Sequence, residues 1–288
     1  MILGAHFSVR QGLIEALRMA EAFNLEAIQI FGYRRHEFYF DPALNPEVRK
    51  KLDGEIAVWR KALRRSFVKH VVIHARHVAI LAFEDEIRRN LAIAQLKREV
   101  ELARILGAHY FIFRLGPYAQ NMKLKKGLML ACGALAQVLE SLPPGSPRLV
   151  LENVPGGGRR MGGTIEEISF IVEALKKRKQ ELGLCVDLAH LWGAGYKIDD
   201  EKGARNFFEH LREEIGKERI VLFHLNNTKV DFKSHIDNHW HLRDGVIGAG
   251  VYRYLMKNYP QAIGILETPK DSQDADRKNI DFLVSLRK

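Results

Sequence analysis

His74, Glu152, Asp187, His190, His224, Asp237, His239 and Glu267 are imidazoles and carboxylates, the side chains that hold zinc and other first-row divalent cations. Their positions are not scattered. Short apolar runs end on or beside them in His70-Val71-Val72-Ile73-His74, Leu149-Val150-Leu151-Glu152-Asn153, Cys185-Val186-Asp187-Leu188-Ala189-His190, Phe223-His224-Leu225-Asn226-Asn227 and Ile263-Gly264-Ile265-Leu266-Glu267-Thr268. One polar residue after an apolar run is usually a buried, hydrogen-bonded side chain. The same ending repeated along one chain points to a polynuclear metal site assembled from strand ends. Asp237-Asn238-His239 spaces two ligands by two residues, which in extended backbone turns both side chains to one side. Asp187 and His190 are separated by a turn of chain and can serve different ions.

Elements that could position these residues follow a regular alternation. Strands are expected at Ile2–His6, Ala27–Phe31, Val71–His74, Tyr110–Leu115, Arg148–Glu152, Gly183–Asp187, Ile220–Leu225 and Ala262–Glu267. Helical patterns lie between them: Val48–Ser66, Glu84–Leu106, Thr164–Lys179 and Lys202–Ile215. In the second, Ile87, Leu91, Ala94 and Leu102 keep a 3.6-residue period. Thr164-Ile165-Glu166-Glu167 has the form of a capping box. Strand followed by helix, repeated through the chain, predicts a single (β/α)8 TIM barrel over residues 1–288, in which strand C-termini meet at one catalytic face. An open doubly wound sheet is the alternative, but it would not bring ligands from nearly every strand to one point.

Composition narrows the class. The chain has 288 residues, 47% hydrophobic and 28% charged, which suits a soluble globular protein with a sizeable core. No apolar run approaches the roughly 20 residues of a membrane span. Met1-Ile2-Leu3-Gly4-Ala5-His6 reads as a strand, not as a signal peptide, so a cytoplasmic location is expected. Cys132 and Cys185 lie far apart in apolar settings, which argues against a disulfide framework. The formal charge of +10 suits a polyanionic partner, and equally a heat-adapted charged surface. After the second strand, Arg34, Arg35 and His36 stand among Phe31, Tyr33, Phe38, Tyr39 and Phe40. Such a loop could grip a nucleic-acid backbone and stack bases, or pack its aromatics on the barrel. Pro155-Gly156-Gly157-Gly158-Arg159-Arg160-Met161-Gly162-Gly163 leads into a helix and could be an anion nest or a plain loop.

Together, Gly4-Ala5-His6-Phe7-Ser8, Leu151-Glu152-Asn153, Cys185-Val186-Asp187 with His190 and Gly193-Ala194-Gly195-Tyr196, His224-Leu225-Asn226-Asn227, Asp237-Asn238-His239 and Leu266-Glu267-Thr268 resemble endonuclease IV, the zinc-dependent apurinic/apyrimidinic endonucleases of the xylose-isomerase-like barrel superfamily. The likeness covers nearly the whole chain. It implies one zinc on Glu152, Asp187, His224 and Glu267, and a second on His190, Asp237 and His239. It implies a third on His74, on Glu152 as a bridge, and on a histidine ending strand four. Strand four of this chain instead runs Phe113-Arg114-Leu115-Gly116-Pro117. Arginine stays protonated and cannot ligate a cation. The third site is therefore expected to be empty or weakly filled, with the Arg114 guanidinium paired to Glu152 or to a substrate phosphate. After His74, Ala75-Arg76-His77-Val78 lacks the family's usual Tyr-Leu pair, leaving Arg76 and His77 there as candidate DNA contacts.

The resemblance implies a metal-dependent endonuclease of DNA repair that hydrolyses the phosphodiester 5′ to abasic sites and leaves a 3′-hydroxyl. Glu152, Arg114 and His74 are the expected catalytic residues. About two Zn2+ per chain are expected, with Mn2+ as the substitute, and the enzyme is expected to be a monomer acting on DNA. Two alternatives stand beside it. Glu152, Asp187, His224 and Glu267 also look like the single-metal site of sugar isomerases and epimerases of the same superfamily. A barrel that binds damaged DNA without cutting it is the other.

Overall fold

The protein is described from a computed structural model, covering residues 1–34, 37–41, 44–178 and 180–287. Its eight strands are β1 (Ile2–His6), β2 (Ala27–Phe31), β3 (His70–His74), β4 (Tyr110–Phe113), β5 (Arg148–Glu152), β6 (Gly183–Asp187), β7 (Ile220–Leu225) and β8 (Ile263–Leu266). Each pairs in parallel with the next, and β8 pairs with β1, closing the barrel. Around it run α1 (Leu13–Ala22), α2 (Pro46–Leu63), α3 (Glu86–Leu106), α4 (Leu124–Ser141), α5 (Ile165–Leu175), α6 (Leu188–Ala194), α7 (Glu201–Ile215), α8 (Ala249–Asn258) and α9 (Ala275–Ser285). The barrel and the β-branched strand composition agree with the sequence reading, with strand ends moved by one or two residues.

Strand periodicity explains how this sequence builds a site. Alternate side chains of a strand point to opposite faces. Ala27, Val72, Ile112, Val150, Cys185, Leu222, Ile263 and Ile265 pack together as the inner core of the barrel. Two residues later, on the same parity, come Gln29, His74, Arg114, Glu152, Asp187, His224 and Glu267. The apolar layer fills the barrel, and the next inward layer is polar and opens on the mouth. Gly4 serves this packing, because a Cβ there would stand 2.7 Å from the Ala27 carbonyl and from Ile265. The side chains of opposite parity, such as Ile28, Ile30, Phe111 and Phe223, face the helices in the larger outer core.

Helix caps follow local chemistry. Asn45 accepts from the Glu47 amide with Pro46 in the first turn of α2, and Asp85 accepts from the Arg88 amide at α3. Gly107 ends α3 in the left-handed conformation. The first half of α3 differs in phase from the sequence expectation. Ile87 and Leu91 are 72% and 66% exposed, whereas Leu102 is buried with Ile93, Leu96, Val100, Ala103 and Leu106. The first two turns of α3 contribute no fully buried side chain, so an apolar period read from Ile87 selects the outward face. Cys132 and Cys185 are buried free thiols. No helix among the described residues is long and apolar enough to cross a membrane.

Candidate metal centre

The barrel brings Glu152, Asp187, His224 and Glu267 to one point from the ends of four consecutive strands, β5 to β8. His224 Nδ1 lies 3.2 Å from Glu152 Oε1, 3.4 Å from Asp187 Oδ2 and 3.4 Å from Glu267 Oε2. Ligand atoms around a tetrahedral zinc, with bonds of about 2.0–2.1 Å, stand about 3.3 Å apart. Four donors therefore surround a space of cation size. His74 also clusters with His224 and Glu267.

Asp187, His190 and His239 form an adjoining cluster. Asp187 caps α6, its Oδ1 accepting from the His190 amide at 2.9 Å, which places His190 one turn beyond the strand. His190 Nε2 lies 3.2 Å from Asp237 Oδ1, and His239 Nε2 lies 3.4 Å from the same oxygen and 3.3 Å from Asp187 Oδ2. Asp187 Oδ2 thus belongs to both clusters. The shared carboxylate joins two cation-sized spaces into one centre.

The donor chemistry fits metal ions. His190 Nδ1 donates to the Asn153 carbonyl at 2.9 Å, so in the neutral ring Nε2 carries a lone pair. That Nε2 and the Nε2 of His239 are buried without a hydrogen-bond partner. A buried polar atom left unpaired is costly, and a cation at the centre of these atoms would satisfy both. Without one, His190 and His224 hold protons more tightly than a free imidazole. Burial opposes charge on His190, yet the Asp187 carboxylate and Asp237 outweigh it and raise its pKa. Burial likewise opposes charge on His224, and the carboxylates of Glu267 and Glu152 raise it well above the ordinary imidazole value. Cys185, its thiol pushed up to about 12 by burial, is neutral beside it.

Arg114 contacts both clusters. Its Nε and Nη2 each donate at 2.8 Å to the two oxygens of Glu152, and its Nη1 donates at 2.6 Å to Asp237 Oδ2. Burial disfavours the guanidinium charge, but Glu152, with Asp237 and Asp187 behind it, holds the pKa above even the ordinary arginine value. Burial also disfavours ionised Glu152, and Arg114 and His224 more than compensate, holding it well below the usual carboxylate range. His74 Nδ1 donates to the Ala75 carbonyl at 2.8 Å, and its Nε2 stands 2.9 Å from Glu152 Oε2. That is the oxygen Arg114 Nε already holds.

Several residues that complete the centre escape the sequence reading. Gln29, fully buried on β2, contacts His224, Glu267 and His6. Its signal is a polar residue on the inward parity of an otherwise apolar strand. Asn153 Oδ1 accepts from the Asp187 amide at 2.7 Å, and Asn226 Nδ2 donates to Asp187 Oδ2 at 2.8 Å. Both stand in the sequence motifs as neighbours of ligands, with nothing there to mark their role.

Around the mouth the expected contacts divide. Arg76 lies over Phe31 and Tyr33, 4.6 and 5.4 Å from the ring centres, with Nε and Nη2 donating to the Tyr33 carbonyl. His77 is 65% exposed at the rim. Both line an open cavity of about 240 Å³ with Phe31, His74, Arg114 and Glu267. Arg34 turns inward instead. Its Nη2 donates to both oxygens of Glu55, its Nη1 to Glu37 and its Nε to the Val9 carbonyl, so its charge ties the loop to α2 and to the segment before α1. Arg35 and His36 lie outside the described residues. Tyr33, Phe38, Tyr39 and Phe40 pack on one another and on the outer core. At the end of the glycine-rich loop, Glu167 Oε2 accepts from the amides of Gly162 and Gly163, at 2.6 and 3.1 Å. The anion at the start of α5 is the chain's own carboxylate. His235 and His241 are turned away from the clusters, onto the Pro155 carbonyl and Asp271.

The architecture has counterparts in known proteins. A family model described as the xylose isomerase-like TIM barrel matches residues 17–286. The probable endonuclease 4 of Chloroflexus aurantiacus (strain J-10-fl) is 29% identical over 286 residues, spanning 98% of this chain and 97% of its own. That of Natranaerobius thermophilus is 30% identical over 287 residues, spanning 98% and 96%. Among solved structures, endonuclease IV from Thermus thermophilus superposes with a TM-score of 0.79 at 27% identity, covering 100% of this chain and 99% of its own. A D-tagatose 3-epimerase-like protein shares the fold, with a TM-score of 0.72 at 21% identity, covering 100% and 98%. The chain belongs to the xylose isomerase-like TIM barrel family, as an endonuclease IV-like member.

Proposed function

We propose that this chain is a metal-dependent phosphodiesterase of DNA repair that cuts the backbone 5′ to abasic sites, using two cations with Arg114 in place of a third. The observation that carries the reading is the junction of the two ligand clusters at Asp187. An isomerase or epimerase has use for Glu152, Asp187, His224 and Glu267 alone. His190, Asp237 and His239 have no part in moving a proton beside a carbonyl, but a second cation next to the first suits a phosphoryl group. The net charge of +10 supports a polyanionic substrate.

Zinc, or manganese in its place, would supply Lewis acidity, lowering the pKa of water and offsetting charge on the phosphoryl and leaving oxygens. The protein's own groups do the rest. Arg114 keeps Glu152 ionised, so Glu152 acts by accepting a hydrogen bond from the attacking water and aiming it. Its depressed pKa makes it a poor proton acceptor. His74 meets the same oxygen with Nε2 and, together with Arg114, fixes the direction of that carboxylate. The guanidinium of Arg114 offers fixed charge to a phosphate oxygen entering between Glu152 and Asp237. Arg76 and His77, on the wall and rim of the cavity, contact the strand that enters it. Residues 1–288 act as one barrel, and no second copy is needed to complete the centre. The test is incision of a duplex holding one abasic site. Chelator-treated protein should be inactive, and zinc or manganese should restore cutting. Activity that survives full removal of metal would reject the reading.

A further inference from the structure

Gln29 is buried in the floor of the centre and none of the steps above uses it. Its amide is engaged on three sides. Oε1 accepts from His224 Nε2 at 3.0 Å, and Nε2 donates to His6 Nδ1 at 2.9 Å and to Glu267 Oε1. The amide has one orientation that works, because the Glu267 carboxylate can only accept and so must face the amide nitrogen, which turns the amide oxygen to His224. Two consequences follow for the ligands. A proton fixed on His224 Nε2 leaves the Nδ1 lone pair for the cluster, where Glu152, Asp187 and Glu267 stand within 3.4 Å. A hydrogen bond on Glu267 Oε1 leaves Oε2 as the oxygen that faces His224.

We propose that Gln29 is a positioning residue that selects which atom of His224 and which atom of Glu267 are offered to a cation. β2 supplies no ligand to the clusters, so its contribution is to orient donors on β7 and β8 across the barrel. A neutral amide suits this task. It donates to one ligand and accepts from the other without adding charge among four ionisable groups. Outer-shell partners of metal ligands typically change affinity by about 10–100-fold when removed.

The inference rests on the reading that Glu152, Asp187, His224 and Glu267 hold a cation, and the experiment separates the two. Zinc affinity is measured by competition with a chromogenic chelator, and the His224 tautomer by long-range proton–nitrogen NMR on histidine-labelled, zinc-loaded protein. Wild type, Gln29→Met and Gln29→Glu are compared. Methionine matches the length and cannot make the amide contacts. Glutamate keeps an oxygen toward His224 in either protonation state. In wild type, His224 should carry its proton on Nε2 and its zinc on Nδ1. Gln29→Met should bind that zinc about 10–100-fold more weakly and lose the fixed Nε2 proton, while Gln29→Glu should retain the proton. Zinc on His224 Nε2 in wild type would overturn the proposal even if Gln29→Met failed to fold. So would a folded Gln29→Met protein with wild-type affinity and tautomer. A wild type that binds no zinc would overturn the metal reading itself, and this inference with it.

Discussion

Arg114 holds both oxygens of Glu152, Nε to Oε2 and Nη2 to Oε1, each at 2.8 Å. A parallel two-bond pairing of this kind fixes direction as well as distance. The third arm of the guanidinium reaches Asp237, so one side chain spans a member of each ligand cluster. Arg114 ties a member of one cluster to a member of the other and puts a permanent positive charge beside Glu152.

If Arg114 stands where a further ion would bind, its replacement by a ligand should admit that ion. Arg114→His is expected to raise bound zinc from about two to about three per chain, using His74 and Glu152 as the other ligands. Elemental analysis after exhaustive dialysis measures the count. An unchanged count would show that the space beside His74 is not a metal site.

His239 contributes to the second cluster alone among the four-ligand and three-ligand groups that share Asp187. His239→Ala should lower the zinc count by about one and reduce incision of abasic DNA by at least tenfold, leaving thermal unfolding of the metal-free protein little changed. Unaltered DNA cutting with the ion missing would leave the second cluster without a role.

Metal binding should be coupled to protons. In the metal-free protein, His190 and His224 hold their protons to a higher pH than free imidazole, because neighbouring carboxylates outweigh burial. A cation must displace those protons, so affinity rises with pH and falls as the solution is acidified, by about tenfold per pH unit for each proton released. Calorimetric titration in buffers of different ionisation heat reads the number directly. Zinc binding with no proton release would contradict the arrangement of these rings.

The glycine loop supports the metal centre from outside. Gly157 has φ 76°, and a Cβ there would stand 2.6 Å from the Cβ of His235. His235 immediately precedes the Ile236-Asp237 segment and donates from Nδ1 to the Pro155 carbonyl. Gly157→Ala should cost about 1–3 kcal/mol in stability from left-handed strain and crowding. It should also weaken the ion held with Asp237 and His239. A stable variant with normal zinc affinity would show that the two loops are not mechanically linked.

The parts of this centre that sequence displays are those governed by short periods. An apolar strand must end where the barrel opens, so Glu152, Asp187, His224 and Glu267 declare themselves at strand ends. Other features depend on tertiary packing. Gln29 sits within an apolar strand, and only the inward parity it shares with Ala27 places it under the ligands. The outward phase of Ile87 and Leu91 in α3 is set by how the helix leans on the barrel, not by its own period. Arg34 and the amides ahead of α5 have intramolecular partners that the sequence does not display, for one reason. They are carboxylates brought close by folding, Glu55 and Glu37 for the arginine and Glu167 for the amides of Gly162 and Gly163.

The measurement that bears most directly on the proposed reaction is the position and chemistry of the break in an end-labelled duplex carrying one abasic site. Zinc-loaded wild type should cut immediately 5′ to the lesion and leave a 3′-hydroxyl that a polymerase can extend, and Glu152→Ala should not cut. Breakage on the 3′ side with an unextendable end, or no breakage at protein concentrations where the duplex is bound, would contradict it.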